Sequence, residues 1–420
     1  MSLDVNISEP DEFNCIELHS VLKDVAKIKG IDDFNYHVDS IGGKGESYIA
    51  NTFRVIVRDN VDEDNKFTVV VKTLVNTGKR EIFHELHKRE ASVYKDIIPI
   101  FNEIQAKVLD DKVVLPECVL SCDENGKEVL ILEDLQHEGW LSNSTLKNFD
   151  ELNYKTVKLV ITELAKLHAL SYVFEQRYPE KFCKLKEQFE DIIFQDKFLN
   201  KSKLRSYFQD SYDASLNLVT DDDARKSLGV IGSKLLDILR GFTKPHEHSV
   251  FCHGDCWINN MLFKFEENEA TAVCFLDFQT VRHSSPVTDI IHFLYLCTSP
   301  QFRSEFFETL KTDYYEKLKS TLIAFETDIN TVYPAKDFEN DLEVAKQYGL
   351  LIAMIDLKIV FLTPEEDAIL NGANVSEEVN LTKVPGEEEL LKIKLNAVVQ
   401  EAIENGVIEQ LYKRVINCDI

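Results

Sequence analysis

The sequence predicts an α+β protein of two lobes: a small lobe built on an antiparallel sheet with one main helix, then a larger, mostly helical lobe. Three observations carry that expectation. The chain is 420 residues long, more than one compact core usually holds. Between Tyr36 and about Asp134, short apolar runs alternate with turn-forming stretches, the pattern of strands. Past Asp134 the period becomes helical, with Val160, Ile161, Leu164, Leu167 and Ser171 on one stripe, and long helical patterns return beyond Pro286. A short hinge at Glu133–Gly139 is expected to divide residues 1–134 from residues 135–420.

In the small lobe, Ile49–Arg58 and Lys66–Leu74 flank the turn-forming stretch Asp59–Asn65 and predict a hairpin. A helix follows over about Glu81–Ile97, closed by Pro99. Lys112–Leu120 and Lys127–Leu132 predict a second strand pair, joined across Asp123, Asn125 and Gly126. In the large lobe, short strands are expected at Ser249–Cys252, Met261–Phe265 and Thr271–Leu276.

The apolar share, 44%, beside 29% charged residues, is that of a chain able to bury a core. A formal charge of -26 argues against nucleic acid and anionic membranes as partners, since both are held by clustered Lys and Arg. A bound nucleotide would need a local cradle of Lys, backbone N–H groups and metal. The nine cysteines are odd in number and contain no C-x-x-C pair, so reduced, packed thiols are expected and not a disulfide framework or a zinc site. Met1–Asp11 is acidic and lacks the apolar core of a secretory signal. The longest apolar run, Leu350–Ile355, stops at Asp356 and Lys358, far short of a bilayer span. A cytoplasmic location is the expectation.

The chemistry concentrates in Phe251-Cys252-His253-Gly254-Asp255-Cys256-Trp257-Ile258-Asn259-Asn260. This stretch leaves one strand and enters the next, so Asp255 and Asn260 stand on a loop, while the strand ending at Leu276 delivers Asp277 and the hairpin returns it toward Asn260. Phosphoryl transfer needs charge neutralisation on the phosphates and a carboxylate on the attacking hydroxyl. Asp255 can take or orient the hydroxyl proton, and Asn260 and Asp277 can offer oxygen ligands to magnesium. His253 opens the spacing H-x-D-x-x-x-x-N followed by D-F, the catalytic-loop pattern of kinases. A polar β-turn would account for any one of these residues but hardly for the ordered set.

Strand alternation puts Lys72 on the face of Thr68 and Val70, opposite Phe67, Val69 and Val71. On the following helix Glu90 falls inside the apolar stripe of Phe83, Leu86, Val93, Tyr94 and Ile97. A carboxylate there is costly unless paired, which makes it the natural partner of Lys72. Ile41–Tyr48 holds Gly43 and Gly45, which could cover phosphates with backbone N–H groups, or form a plain turn. Glu133 and Leu135 stand where main-chain groups could meet adenine, or where a strand simply ends. His84-Glu85-Leu86-His87 is one residue short of a zinc motif, and His168, in an apolar helix, is expected to pack rather than catalyse.

Together Glu90-x-x-x-Tyr94, Leu132-Glu133-Asp134-Leu135, Leu164-Ala165-x-Leu167-His168-Ala169, His253-Gly254-Asp255-x-Trp257-x-Asn259-Asn260, Leu276-Asp277-Phe278-Gln279 and Pro286-x-x-Asp289-Ile290 resemble the ecdysteroid kinase-like family, a branch of the choline kinase and aminoglycoside phosphotransferase group. The resemblance implies a bilobal protein kinase-like fold, with ATP and Mg2+ used to phosphorylate a hydroxylated small molecule. It implies nucleotide binding by the first lobe and catalysis and substrate binding by the second. By position it implies Asp255 as catalytic base, Asn260 and Asp277 as magnesium ligands, Lys72 as phosphate anchor and Asp289 as a brace of the catalytic loop. Gln279 departs from the wider group, where a second acid is common. Only about ten residues separate Gln279 from Asp289, too few for the peptide-docking segment of a protein kinase. The implied acceptor is an ecdysteroid or similar lipophilic alcohol. A choline-type or xenobiotic substrate, or an inert nucleotide-binding scaffold, are the alternatives.

Overall fold

The structure, a computed structural model, describes residues 18–40, 50–62, 64–74, 80–142, 152–202, 204–360 and 387–417. The chain divides into two compact units: Met1–Ile98 with Leu115–Trp140 and Pro364–Val379, and Pro99–Val114 with Leu141–Thr363 and Asn380–Ile420. An antiparallel sheet with helices in the first and a mostly helical second unit make this a bilobal protein kinase-like fold.

The first unit is organised by five strands: β1 (Phe34–Ser40), β2 (Ala50–Asp59), β3 (Lys66–Leu74), β4 (Cys118–Cys122) and β5 (Val129–Glu133), in the order β1-β2-β3-β5-β4. The β2–β3 hairpin pairs Thr52 with Lys72 and Arg58 with Lys66. One face of the sheet presents Phe53, Val55, Val57, Val69, Val71, Val129 and Ile131 to a buried cluster. It is closed by a helix α1 (Leu18–Ile28), whose Leu18, Val21, Leu22, Val25 and Ala26 fall on one helical stripe and are buried in the same cluster. Each such aliphatic side chain contributes about 1.5–3 kcal/mol by burial. That packing commits one face of β3 to the core and leaves Lys72 on the other.

Helix α2 (Arg80–Ser92) passes through a π-helical turn, Val93–Ile97, into α3 (Ile98–Ala106). The helix therefore continues past Pro99, where the sequence suggested an end. The Ile98 N–H bonds to the Val93 carbonyl, a widened register placed just before the residue that has no N–H to give.

In the second unit, α4 (Tyr154–Arg177) starts at Asn153, whose side chain accepts the Thr156 N–H at 2.9 Å. It is followed by α5 (Pro179–Gln188), α6 (Asp196–Ser202), α7 (Leu204–Leu218), α8 (Asp222–Gly232) and α9 (Leu235–Thr243). Short strands come next. The strand β6 (Leu141–Ser142) pairs with β8 (Met261–Glu266), which pairs with β9 (Glu269–Phe275), while β7 (Val250–Cys252) pairs with β10 (Arg282–Ser284). The chain closes with α10 (Val287–Cys297), α11 (Pro300–Ala324), α12 (Ile329–Val332), α13 (Ala335–Val360), α14 (Glu387–Glu404) and α15 (Val407–Ile416).

Every residue of α10 is buried, and α10 packs on α13. The two come so close at Gly349 that a Cβ there would stand 2.6 Å from the Tyr295 ring and 2.7 Å from Ile291. No helix among the described residues is long and apolar enough to cross a membrane.

Candidate active site

The loop between β7 and β8 is fixed by its own backbone bonding. The His253 and Gly254 N–H groups donate to the two oxygens of Asp289, at 2.6 and 2.9 Å. The His253 carbonyl accepts from Thr280 Oγ1 at 3.2 Å, and the Gly254 carbonyl from Arg282 Nη1 at 3.1 Å. The Asp255 N–H donates to His253 Nδ1 at 3.3 Å, and its carbonyl accepts from Asn260 Nδ2 at 3.0 Å. Six main-chain groups in three residues are thus satisfied, all of them by side chains. A loop held this way carries Asp255 in one geometry.

Glycine between His253 and Asp255 is a steric requirement. Gly254 has φ +87°, and a Cβ would lie 2.2 Å from the Thr280 carbonyl oxygen. His253 Nε2 lies 2.8 Å from the Leu276 carbonyl, an acceptor only, so this nitrogen carries the proton and Nδ1 is left to accept from Asp255. The histidine ties the loop to the end of the chain segment that delivers Asp277.

Asp289, in the first turn of α10, is fully buried and also accepts from His168 Nε2 at 3.2 Å. His168 Nδ1 in turn accepts from the Tyr314 hydroxyl at 2.8 Å. Burial alone would raise the Asp289 carboxyl, but the His168 bond and the charge of Arg282 help hold it down to about 2. His168, Cys252 and Asp289 lie close enough together to suggest a metal site. The Cys252 thiol, however, donates to the Ser284 and Ser285 carbonyls, and the other two are bonded to each other, so the group reads as a hydrogen-bonded brace.

Asp255 differs from Asp289 in having one donor on its carboxylate, Asn260 Nδ2 at 2.9 Å from Oδ2. About a third of its side chain (32%) is exposed, and its Oδ1 faces His292 Nε2 at 3.7 Å. Burial, then the charge of Asp277, push its carboxyl up to about 6 against the opposing effects of His253, Asn260 and Arg282.

The expected magnesium ligands are Asn260 and Asp277. Asn260 spends its amide on Asp255, and its Oδ1 accepts no hydrogen bond among the described residues. The Leu276 N–H donates to the Asn260 carbonyl at 2.9 Å, which fixes the segment leading to Asp277 beside it. Asp277 itself adopts φ +64°, a conformation rare for a residue with a side chain. An amide oxygen and a carboxylate make a donor set that fits a hard divalent cation.

In the first unit, Lys72 Nζ and Glu90 Oε2 lie 2.7 Å apart, with only 12% and 2% of their side chains exposed. Glu133 ends β5, and its Oε1 accepts the Glu117 N–H at 2.7 Å. Leu135 begins a 3-10 turn, Leu135–Glu138, and its carbonyl accepts the Trp140 N–H at 3.2 Å. Between them Asp134 receives the Arg54 guanidinium, with Nε 2.6 Å from Oδ2. Gly43 and Gly45 lie outside the described residues. Sequence reasoning missed Arg54, Arg282 and His292. The last two are buried polar residues whose neighbours are distant in sequence, so no local pattern marks them.

The His253–Asn260 loop, with the H-x-D-x-x-x-x-N spacing, sits in a bilobal protein kinase-like fold. The chain belongs to the ecdysteroid kinase-like family, whose family model matches residues 44–326. Solved structures similar to it include a GDP complex of aminoglycoside 2'-phosphotransferase-IIIa, at 12% identity and TM-score 0.42, covering 84% of this chain and 99% of that one. Choline kinase LicA from Streptococcus pneumoniae is similar at 13% identity and TM-score 0.41, covering 91% of this chain and 99% of that one. A glucosamine kinase is similar at 11% identity and TM-score 0.30, over 77% of this chain and 93% of that one. A search of curated proteins finds no match.

Proposed function

We propose that this protein is an ATP- and magnesium-dependent phosphotransferase whose acceptor is a hydroxyl of a small molecule, an ecdysteroid or similar lipophilic alcohol. The observation that carries the reading is the Asp255 loop: a partly exposed carboxylate on a fully bonded backbone, with Asn260 Nδ2 bound to it and Asn260 Oδ1 accepting no hydrogen bond among the described residues. In this reading residues 1–134 bind nucleotide and residues 135–420 carry the catalytic loop and the acceptor. The family membership supports the substrate class, and a cytoplasmic location suits the acidic, free-thiol composition.

Asp255 accepts the hydroxyl proton as the alcohol oxygen bonds to the γ-phosphorus. The bond from that phosphorus to the bridging oxygen breaks, and ADP leaves with the electron pair. Asn260 Oδ1 and the Asp277 carboxylate would hold magnesium, which when bound would supply charge neutralisation on the phosphates. Lys72, oriented by Glu90, anchors the phosphates, while Gly43, Gly45, Glu133 and Leu135 serve the nucleotide through their main chain. His253 and Asp289 keep Asp255 in place and touch no reacting atom.

The test is ATP consumption with 20-hydroxyecdysone, ecdysone, choline, ethanolamine and kanamycin as acceptors, in wild type and Asp255→Asn. Loss of the base should lower kcat about 10²- to 10⁴-fold. Undiminished turnover in the variant would sink the proposal. Magnesium-dependent ATP binding without turnover of any acceptor would make the protein an inert scaffold.

A further inference from the structure

Three polar groups at the catalytic loop, Asp255, His292 and Asp356, have little or nothing to bond to among the described residues. His292, in α10, has 6% of its side chain exposed, and neither ring nitrogen has a hydrogen-bond partner among the described residues. Its Nε2 points at Asp255 Oδ1 across 3.7 Å, too long for a direct bond but short enough for one oxygen atom to bond to both. A buried imidazole without partners is costly, and burial pushes it down to about 3, so it is neutral and offers one N–H and one lone pair.

The third group is Asp356 in α13. It stands seven residues, two helical turns, after Gly349, the point of closest approach to α10, and so lies on the face turned toward α10. Tyr348 on that face meets the His292 ring at a centroid distance of 6.4 Å. Asp356 has no hydrogen bond or ion pair among the described residues, and what acts on it is the neighbouring charge of Asp255. Burial and that charge raise its carboxyl to about 8, so at neutral pH it holds its proton and is a hydrogen-bonding group, not a site for a cation.

We propose that His292 and Asp356 bind the acceptor beside Asp255 and select an uncharged molecule carrying more than one hydroxyl. This rests on the phosphotransferase reading. The reacting hydroxyl donates to Asp255 Oδ1 and accepts from His292 Nε2, and Asp356 takes a second hydroxyl of the same molecule. An acceptor that matches both groups satisfies the polar atoms that the folded chain leaves unmatched. A single-hydroxyl or cationic acceptor leaves one of them unpaired.

The experiment uses the full chain with His292→Phe, His292→Gln, Asp356→Leu and Asp356→Asn. Titration calorimetry with 20-hydroxyecdysone, ecdysone and choline gives affinity, and steady-state kinetics with the same acceptors gives KM separately for acceptor and for ATP. His292→Phe and Asp356→Leu should each weaken 20-hydroxyecdysone binding about 10- to 100-fold, with the KM for ATP unchanged. Asp356→Asn, which keeps a donor and an acceptor as the protonated acid does, should stay close to wild type. His292→Gln, which keeps a donor, should recover part of the loss. His292→Phe should be at least as stable as wild type, because it removes an unpaired polar group; a structural histidine would show the opposite. The proposal fails if neither steroid binds wild type, if His292→Phe and Asp356→Leu both bind as wild type does, or if choline binds best and Asp356→Asn abolishes it. Binding that responds as expected without turnover would support the subsite and count against the phosphotransferase reading alone.

Discussion

Asp289 and Asp255 stand on either side of one loop, both desolvated, and they have been treated in opposite ways. Asp289 receives two backbone N–H groups and a histidine, and its carboxyl is held down to about 2. Among the described residues Asp255 receives one amide and Asp356 none, and burial raises their carboxyls to about 6 and about 8. Desolvation works against the charged form in each case. It is offset where the carboxylate holds structure and left standing where a reacting or bound molecule would meet it. Unmet carboxyls are a mark of functional sites for that reason.

The strongest way to break this comparison is Asp289→Ala. The substitution strands the N–H groups of His253 and Gly254 together with His168 Nε2, all buried. Removing one partner from such a set costs about 3–5 kcal/mol. Chemical denaturation should show that loss, and turnover should fall with it, because the Asp255 backbone would no longer be fixed. A loss below about 1 kcal/mol would mean that Asp289 is not the brace.

The next effect is smaller and depends on pH. A carboxyl with a depressed folded pKa stabilises above its unfolded value of about 3.9 and loses that contribution as pH falls through about 2; for Asp289 this is about 2–3 kcal/mol. A raised carboxyl works with the opposite sign. For Asp356 the folded chain carries a penalty above about 8, relieved as pH falls and the folded state takes up the proton first. Asp356→Asn should therefore melt a few degrees above wild type at alkaline pH, with the gap closing toward pH 5. A gap that stays constant from pH 9 to pH 5 would show that Asp356 is not an unmet acid.

Much of this geometry was legible in the sequence because its signals are local. The spacing from His253 to Asn260 fits inside one loop, and the alternation of β3 separated Lys72 from Val69 and Val71. The apolar stripe around Glu90 identified the partner that the structure places 2.7 Å from Lys72. What was missed depends on contacts between distant segments. All of α10 is buried, so His292 has no exposed face to stand out from. Asp356 looked like the residue that ends the apolar run Leu350–Ile355, when its environment is set by Asp255, about a hundred residues earlier. The helix through Pro99 was missed because a π turn absorbs a residue that ordinarily ends helices.

The smallest expected effect sharpens the comparison from its other end. Lys155 and Glu269 form an ion pair 2.5 Å long, shorter than the bonds that hold the His168 and Asp255 N–H groups, but their side chains are 68% and 57% exposed. Water already solvates both charges, so the pair gains little and must hold two long side chains in one arrangement. Lys155→Ala should change stability by less than about 1 kcal/mol, and the change should shrink further in 1 M NaCl, where exposed charges are screened within about 3 Å. A chain with a net charge of -26 would feel the loss of one lysine as general repulsion, and salt removes that too. If the variant instead lost as much as Asp289→Ala, bond length would govern these pairs and desolvation would not. The contrast between the carboxylates around the catalytic loop depends on desolvation being the governing term.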